Sequence, residues 1–323
     1  MRAAVEAAQG DALAVIRSRL SAALVDAWWP QALALAGVNG GANDSSPSRP
    51  FSGERLIYVY GFSHATASVP EVAAIEPDVG LEIIVSDGVS ALVSRVPGES
   101  YGEAALQRQV SDPAWIADRA CAHDEVLRRA SEQGPVLPLR LFTVFEDERR
   151  VRALLSKNRD SIAAALGRVA GHHEWGVKIR IDAASLVPSS ADAERLEPLR
   201  LEIEQATPGR AHFARRRLAQ LERELRTSAA GELGSRAHAA LSESSADSVR
   251  LEPQDPAVSG RNEPQVLRAA YLVAETRRPE LEAVVARLRE QPGVDVELTG
   301  PWPPFHFSDI ELCIPEIPTI DAS

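Results

Sequence analysis

Hydrophobic and polar positions follow a strand, helix, strand pattern between residues 134 and 182. Apolar and β-branched residues fill positions 136–145, which predicts an extended segment that Pro138 interrupts, because proline cannot donate to a sheet ladder. Between residues 151 and 169 the apolar side chains recur at steps of three, four and seven, the spacing of an amphipathic helix. Residues 175–181 then alternate, as in a half-buried strand. Together these elements predict a compact α/β layer.

The residues before this stretch predict a sheet with packed helices. Strands are expected at residues 56–61, 81–85 and 89–94. The Asp87-Gly88 pair between the last two predicts a tight hairpin, because glycine takes the positive φ that the turn requires. A cap residue and an early proline at positions 111–113 begin a helix. The order of elements predicts an α+β domain, with a ferredoxin-like sheet and helices packed on one face.

A second α+β domain is predicted after a charged connection that prolines interrupt. Apolar residues recur at helical spacing on both sides of Gly231, which predicts a helical hairpin whose halves pack on each other. The elements expected after it are a short strand near residues 249–251, a strand at 266–274, a helix at 279–290 and a strand at 294–298. This order predicts a small β-α-β sheet beside the helical hairpin.

The predicted organisation therefore has five parts. They are a helical extension and flexible linker at 1–52, an N-terminal α+β domain at 53–185, a connection at 186–208, a C-terminal α+β domain with a helical region at 209–312, and a tail at 313–323. Residues 1–36 have helical spacing among many alanines, whereas 37–52 are rich in Gly, Asn, Ser and Pro. The first helix is either an interfacial or partner-binding helix or a small extension packed on the domain surface.

Composition narrows the function classes. The formal net charge of −11 argues against a nucleic-acid binder, because contacts to phosphates need a basic face. Two cysteines in 323 residues give no disulfide framework, which favours a reducing cytoplasm. Apolar runs stay below the roughly 20 residues that span a bilayer, and the N-terminus lacks the pattern of a signal peptide. We expect a cytoplasmic protein with no membrane insertion.

The sequence contains no recognisable catalytic motif. It has no dinucleotide-binding glycine pattern after a strand, no phosphate loop and no nucleophile elbow. Cys121 and His123 lie two apart on a predicted helix, where such side chains do not face each other, so a structural cysteine is favoured over a metal or thiolate site. His172 and His173 point in different directions at a helix-to-strand junction. We therefore predict no enzyme, no cofactor and no metal site.

Three segments carry candidate contact residues. Arg140 lies in an apolar run, so it either reaches solvent from an edge strand, forms a structural ion pair or contacts a partner. The arginines at 215–217 form either a solvated face or a site for an acidic partner. The proline and aromatic residues at 302–307 form either a packed plug or a recognition surface, since proline pre-orders the backbone for docking.

Several of these segments carry a resemblance to a known family. They are the Tyr58-Val59-Tyr60-Gly61 strand, residues 136–140, Thr143-Val144-Phe145, residues 174–178, Gly209 with the arginines at 215–217, and residues 299–307. In this order, over roughly residues 55–310, the chain resembles the gas vesicle protein F/L family (GvpF/GvpL). The N-terminal 50 residues lie outside the resemblance.

The resemblance implies an accessory or minor gas vesicle protein of two domains. It implies a cytoplasmic protein, associated with the gas vesicle, that binds the small hydrophobic shell subunit and other gas vesicle proteins and assists nucleation or assembly of the wall. The contact residues we predict are Tyr58, Tyr60, Arg140, Trp175, Arg215, Arg216, Trp302 and Phe305. The edge of the first-domain sheet is the favoured binding face.

Two other functions stay open at this point. One is a structural component retained in the finished gas vesicle. The other is an enzyme that acts on a small molecule at the domain interface, which requires a deep pocket with polar groups around Arg140 or His172.

Overall fold

The computed structural model describes residues 55–109, 112–182, 185, 190–253, 263–310 and 312–313. The predicted N-terminal helix and linker, and all of the predicted tail except residue 313, lie outside these ranges. The described chain is an α+β protein with two antiparallel sheets and eight helices. It divides into two compact units: the first runs to Gly171 and takes in the segment from Pro303 onward, and the second runs from His172 to Trp302.

The described residues of the first unit form five strands and five helices. In chain order they are β1 (Arg55–His64), β2 (Leu81–Ser86), β3 (Val89–Pro97), α1 (Gly98–Tyr101), α2 (Glu103–Gln109), α3 (Pro113–Ser131), β4 (Val136–Pro138), β5 (Val144–Phe145), α4 (Glu148–Lys157) and α5 (Arg159–Val169). The sheet order is β2-β3-β1-β4, and β5 pairs with a different part of β1. All pairs are antiparallel.

The predicted hairpin between β2 and β3 is confirmed. Asp87 and Gly88 form its two-residue turn, with φ angles of 49° and 87°. Two successive positive φ angles define the turn type whose twist matches that of the flanking strands, and an Asp-Gly pair adopts it readily. The turn therefore fixes the register in which Ser86 faces Val89.

The central strand β1 is buried on both faces. Tyr58 and Tyr60 point to one face, where they belong to a core cluster with Ile116 and Leu127 of α3. The alternate residues of β1 are also buried, and α4 and α5 contact the sheet. Helices thus cover both faces, whereas the sequence predicted them on one face. The predicted helix over 151–169 is two helices that meet at Asn158.

The described part of the second unit begins with a strand and two helices, and continues with two strands, a helix and a last strand. Its elements are β6 (His172–Ile181), α6 (Ser190–Gln205), α7 (Pro208–Glu243), β7 (Asp247–Arg250), β8 (Gln265–Ala274), α8 (Arg278–Arg289) and β9 (Val294–Trp302). The sheet order β7-β8-β6-β9, with all pairs antiparallel, is the ferredoxin-like arrangement. The first-unit sheet, β2-β3-β1-β4, has the same order, as predicted for it. It differs in that residues 65–80, between β1 and β2, form no helix, and in that β5 adds a fifth strand.

Strand β6 belongs to this second sheet. It pairs with β8 and β9, so the predicted strand, helix, strand stretch of residues 134–182 is not one layer. The alternation of residues 175–181 predicted a half-buried strand correctly, but alternation does not say which strands pair with it. Whether residues 53–185 and 209–312 fold as independent domains remains a prediction.

The predicted helical hairpin exists, but with different members. Residues 208–243 form the single helix α7, and Gly231 lies inside it and does not end it. The predicted connection at 186–208 contains the helix α6, which packs on α7. Leu196 of α6 and Ala211 and Ala214 of α7 are buried. A helical hairpin of α6 and α7 results.

The chain returns to the first unit after β9. Phe305 packs against the cluster that contains Tyr58, and the Ser308 hydroxyl donates to the Pro138 carbonyl at 3.3 Å. Asn158 donates to the Cys313 carbonyl at 3.0 Å and accepts from the Cys313 N–H at 2.7 Å. The C-terminal segment thus fills part of the first core and contacts β4 at Pro138.

Two glycines of α7 allow a matched test of the fold. Alanine at Gly231, where the position of a Cβ is open, should stabilise the protein by about 0.5–1 kcal/mol, because glycine is a poor helix former. Alanine at Gly234 would collide with the Val266 carbonyl oxygen and should destabilise it by about 1–3 kcal/mol. Chemical denaturation followed by circular dichroism measures both changes. Equal effects of the two substitutions would contradict the packing of α7 on β8.

Candidate interaction site

Strand β2 is an edge of the first sheet. It pairs with β3 on one side, and no other strand of the described ranges pairs with it on the other. The opposite edge differs, because the C-terminal segment reaches β4 there through the hydrogen bond from Ser308 to Pro138. Unpaired edge strands present free backbone groups to another chain. Strand β2 is therefore a candidate edge for pairing with another chain.

The hairpin geometry determines which backbone groups of β2 point outward. In a two-residue hairpin the closing pair, Ser86 and Val89, is hydrogen-bonded, and hydrogen-bonded pairs alternate along the strands. The N–H and C=O groups of Val85, Ile83 and Leu81 therefore point away from β3. Consistent with this, the Arg152 guanidinium of α4 donates to the Val85 carbonyl from the far side.

The same three residues carry an apolar row of side chains. Leu81 and Ile83 are half-buried against the cluster that contains Tyr58, and Val85 is 39% exposed. Because side chains two apart share a face, the row lies on one face of the edge. We call Leu81, Ile83 and Val85, with their outward backbone groups, the β2 edge. The sequence predicted this strand but gave no signal that it lies at an edge.

A polar network holds α4 against the other face of the hairpin. The Arg95 guanidinium donates from Nε to both carboxylate oxygens of Glu82 at 3.1 Å, and from Nη2 to Glu148 at 3.0 Å. Arg152 also donates to Glu148, at 2.7 Å. Hydrogen bonds from Arg152 and Arg95 lower the pKa of the Glu148 carboxyl. The network keeps Glu148 charged and fixes α4 on the hairpin beside the β2 edge.

A small cleft lies next to this edge. It has a volume of about 100 Å³, and its lining includes Ile83, His64 and Gln133. The Ser68 hydroxyl donates to the Gln133 side chain at 2.6 Å, and the Ser90 hydroxyl to the His64 carbonyl at 2.8 Å. Serine and glutamine side chains dominate its polar lining, which offers no pair of groups for acid and base chemistry. Its lining includes neither Arg140 nor His172.

Two of the predicted contact residues, Tyr58 and Tyr60, are fully buried. The Tyr58 hydroxyl donates to His123 Nδ1 at 2.7 Å and accepts from the Phe142 N–H at 3.3 Å. The Tyr60 hydroxyl accepts from the Ile75 N–H at 2.8 Å. These tyrosines link β1 to α3 and to two loops, so in this structure they support the sheet from inside and do not reach its surface.

His123 is part of the same buried network. Its Nε2 lies 3.3 Å from the Leu139 carbonyl, which fits the neutral tautomer that accepts from Tyr58 at Nδ1 and donates at Nε2. Burial lowers the pKa of His123 to about 3. The ring is thus a neutral structural group, and Cys121, two residues away, is half-buried with a free thiol.

The remaining predicted contact residues lie in separate places. Arg140, Arg215 and Arg216 are exposed. In the second unit Trp175 is 5% exposed under the Arg278 guanidinium at 5.2 Å, and Trp302 is half-buried at the end of β9. In the first unit Phe305 is half-buried in the core. The structure therefore does not bring the eight residues into one site, and their contact with a partner remains a prediction.

Within the described ranges, no group of three or more His, Cys, Asp or Glu side chains could hold a metal ion. None of the helices seen in this part of the chain is long and apolar enough to cross a membrane.

Comparison with known proteins gives consistent matches. The model of the family described as gas vesicle synthesis protein GvpL/GvpF matches residues 56–309. Gas vesicle protein L of a Streptomyces species is 36% identical over 260 residues, which cover 80% of this chain and 95% of that protein. Gas vesicle protein L1 of Halobacterium salinarum is 26% identical over 271 residues, covering 82% and 93%.

A solved structure shares the fold. The crystal structure of gas vesicle protein GvpF from Microcystis aeruginosa matches with a TM-score of 0.55 at 17% identity. The match covers 79% of this chain and 99% of that protein. At this identity the likeness is one of fold.

The buried histidine predicts an acid-sensitive first unit. Because the pKa of His123 falls from 6.5 to about 3 on folding, only the unfolded state binds its proton between these values. Its contribution to stability is therefore complete above pH 6.5 and is lost as the pH falls toward 3, by up to about 1.4 kcal/mol per pH unit. We expect His123→Asn to flatten the dependence of the unfolding free energy on pH.

The control for this prediction is His64→Asn, which changes an exposed histidine of the same unit. In this variant the unfolding free energy should depend on pH as it does in the unmodified protein. An unchanged slope in the His123 variant, measured by urea denaturation at several pH values, would show that other groups cause the acid sensitivity.

Proposed function

Because the chain belongs to the gas vesicle synthesis protein GvpL/GvpF family, we propose that it binds the small hydrophobic shell subunit and assists nucleation or assembly of the gas vesicle wall. We propose that binding occurs at the β2 edge, by addition of an extended segment of the subunit to the first sheet. The protein would act in the cytoplasm, at the growing vesicle, together with other gas vesicle proteins.

The observation that carries this proposal is the coincidence of two features on one strand. The outward backbone groups of β2 belong to Leu81, Ile83 and Val85, and the apolar row consists of the same residues. The Val85 carbonyl already accepts from Arg152, so an added strand would pair with the other outward groups or displace this guanidinium. Strand addition uses backbone hydrogen bonds for affinity and alternate side chains for specificity. A hydrophobic subunit could thus pair its backbone and cover its side chains in one step.

The charge of the chain fits such a role. A shell subunit with exposed apolar surface aggregates unless a partner covers that surface. A net charge of −11 favours keeping a complex dispersed through mutual repulsion. On the face of the hairpin opposite the apolar row, Arg95 and Arg152 form ion pairs with Glu82 and Glu148, so this face of β2 is polar.

The family bears on the enzyme alternative as well. It is a family of gas vesicle synthesis proteins and not a known enzyme family. The pocket that the enzyme hypothesis requires would have to gather polar groups around Arg140 or His172. Arg140 is exposed on a turn, and the cleft beside the β2 edge includes neither residue. These features favour a binding protein without turnover.

Val85 gives the sharpest test of the β2 edge. Val85→Lys places a charge on the apolar row and should weaken binding of the co-expressed shell subunit at least about tenfold, a loss of roughly 1.4 kcal/mol. Val69→Lys is the matched control, because Val69 is 43% exposed against 39% for Val85 but lies in a loop of the same unit. It should bind normally. Quantitative pull-down from lysates of both variants measures the difference.

Four further outcomes bear on the proposal. Normal binding by the Val85→Lys protein would show that the shell subunit does not bind at the β2 edge. Wall formation that continues after deletion of the gene would show that the protein is not needed for assembly. A truncated chain that starts at Gly53 should bind as the full chain does; loss of binding would move the site into residues 1–52. Retention of the protein in washed vesicles would favour a built-in structural component.

A further inference from the structure

A second exposed surface lies near the connection between α6 and α7, in the second unit. Phe213 is in the second turn of α7, and residues three or four away from it on a helix share its face. Those neighbours are Arg210, Arg216 and Arg217. We call these four residues the Phe213 patch.

Phe213 is unusually exposed for an aromatic residue. Its exposed fraction is 67%, compared with 46% for Leu201, the next most exposed large hydrophobic residue of the described chain. Nearby Ala211, Ala214 and Leu225 are buried on the face that packs inward, so α7 is well packed here without Phe213. The Phe213 ring contacts the neighbouring exposed His212 ring, at 5.9 Å between centroids, and remains largely in solvent. Phe and Arg are enriched at protein interfaces.

The patch is strongly basic within an acidic protein. Residues 205–221 contain four arginines and no acidic residue, although the whole chain has a net charge of −11. Arg210 and Arg216 are exposed, and the ion pair of Arg217 with Glu202, at 3.6 Å, leaves the Arg217 side chain 69% exposed. The amino-terminal end of α7 adds partial positive charge. The patch thus offers guanidinium groups around one apolar ring.

We propose that the Phe213 patch docks an acidic amphipathic segment of a partner protein. Guanidinium groups pair with carboxylates through two hydrogen bonds, which a lysine-rich surface would not provide with the same geometry. An apolar side chain on the partner covers the Phe213 ring and removes it from water. A partner helix with Glu or Asp beside Leu or Phe matches both requirements, and a purely anionic polymer matches only the first.

This surface is separate from the β2 edge. The Phe213 patch belongs to the second unit and the β2 edge to the first, so the two would engage different partner segments. The inference does not depend on the shell subunit as the partner. Loss of either surface by mutation leaves the other intact, and the two proposals can therefore fail separately.

The test uses the full chain and a defined probe. The probe is a short fluorescein-labelled helical peptide with glutamates on one face and leucines on the other, and its binding is followed by fluorescence anisotropy. We expect saturable binding in the micromolar range. A peptide with lysine in place of glutamate should not bind, and one with serine in place of leucine should bind at least about fivefold more weakly.

Adjacent arginines provide a matched pair of variants. Arg216→Glu changes the patch and should lower the affinity about tenfold. Arg215→Glu makes the same charge change one residue away, at a position that does not share the face of Phe213, and should lower it less than about twofold. Phe213→Ala should lower the affinity about fivefold. All three side chains are exposed, so the variants should fold, which circular dichroism checks.

Three results would overturn the proposal. Equal losses in the Arg215 and Arg216 variants would indicate general charge attraction. Equal affinity for the serine peptide, or for heparin with no effect of Phe213→Ala, would indicate a plain anion site. A change of oligomeric state in the Arg216 variant, seen by analytical ultracentrifugation together with failure to bind the probe, would assign the patch to a second copy of this chain.

Discussion

The first unit depends on one buried hydroxyl group. Tyr58, at the centre of the sheet, uses it to join α3 through His123 and the loop after β4 through the Phe142 N–H. A buried polar group without partners costs about 1–3 kcal/mol, so both partners must be in place when β1 is covered. The positions of α3 and of the chain after β4 are therefore specified together. The position of the β2 edge depends on the same arrangement, because Leu81 and Ile83 pack on the cluster that contains Tyr58.

Much of the local structure follows from the sequence. Asp87 and Gly88 predicted the hairpin and with it the orientation of every β2 residue, because a two-residue turn leaves no freedom of register. Apolar spacing located the helices near Val151 and Leu281 and the strand around Trp175. Pairing partners did not follow. Alternation of apolar and polar residues shows that one face of a strand is buried. It does not identify the neighbouring strand, which depends on contacts with residues far along the chain.

The misplaced elements have specific physical causes. A glycine ends a helix only where the surrounding residues do not hold the helix together. Buried residues of α7 lie on both sides of Gly231, including Leu225 and Leu233, and their packing keeps the helix continuous. Pro198 suggested a connection, yet α6 continues through it. Tyr58, Tyr60 and Arg140 were predicted as contact residues because of their residue types. The β2 edge, in contrast, consists of aliphatic residues that are common in any strand. What distinguishes Val85 is its place in the sheet order, which no local pattern encodes.

The path of the chain has a consequence for its synthesis. The second unit lies between Gly171 and Pro303, so the ribosome completes it before it has made the segment that finishes the first unit. Phe305 belongs to the first core, and Asn158 holds the backbone of Cys313. Domains generally fold in order from the N-terminus during translation. Here the unit that begins first closes last, and its core stays incomplete on the ribosome until Phe305 and the residues after it have been made.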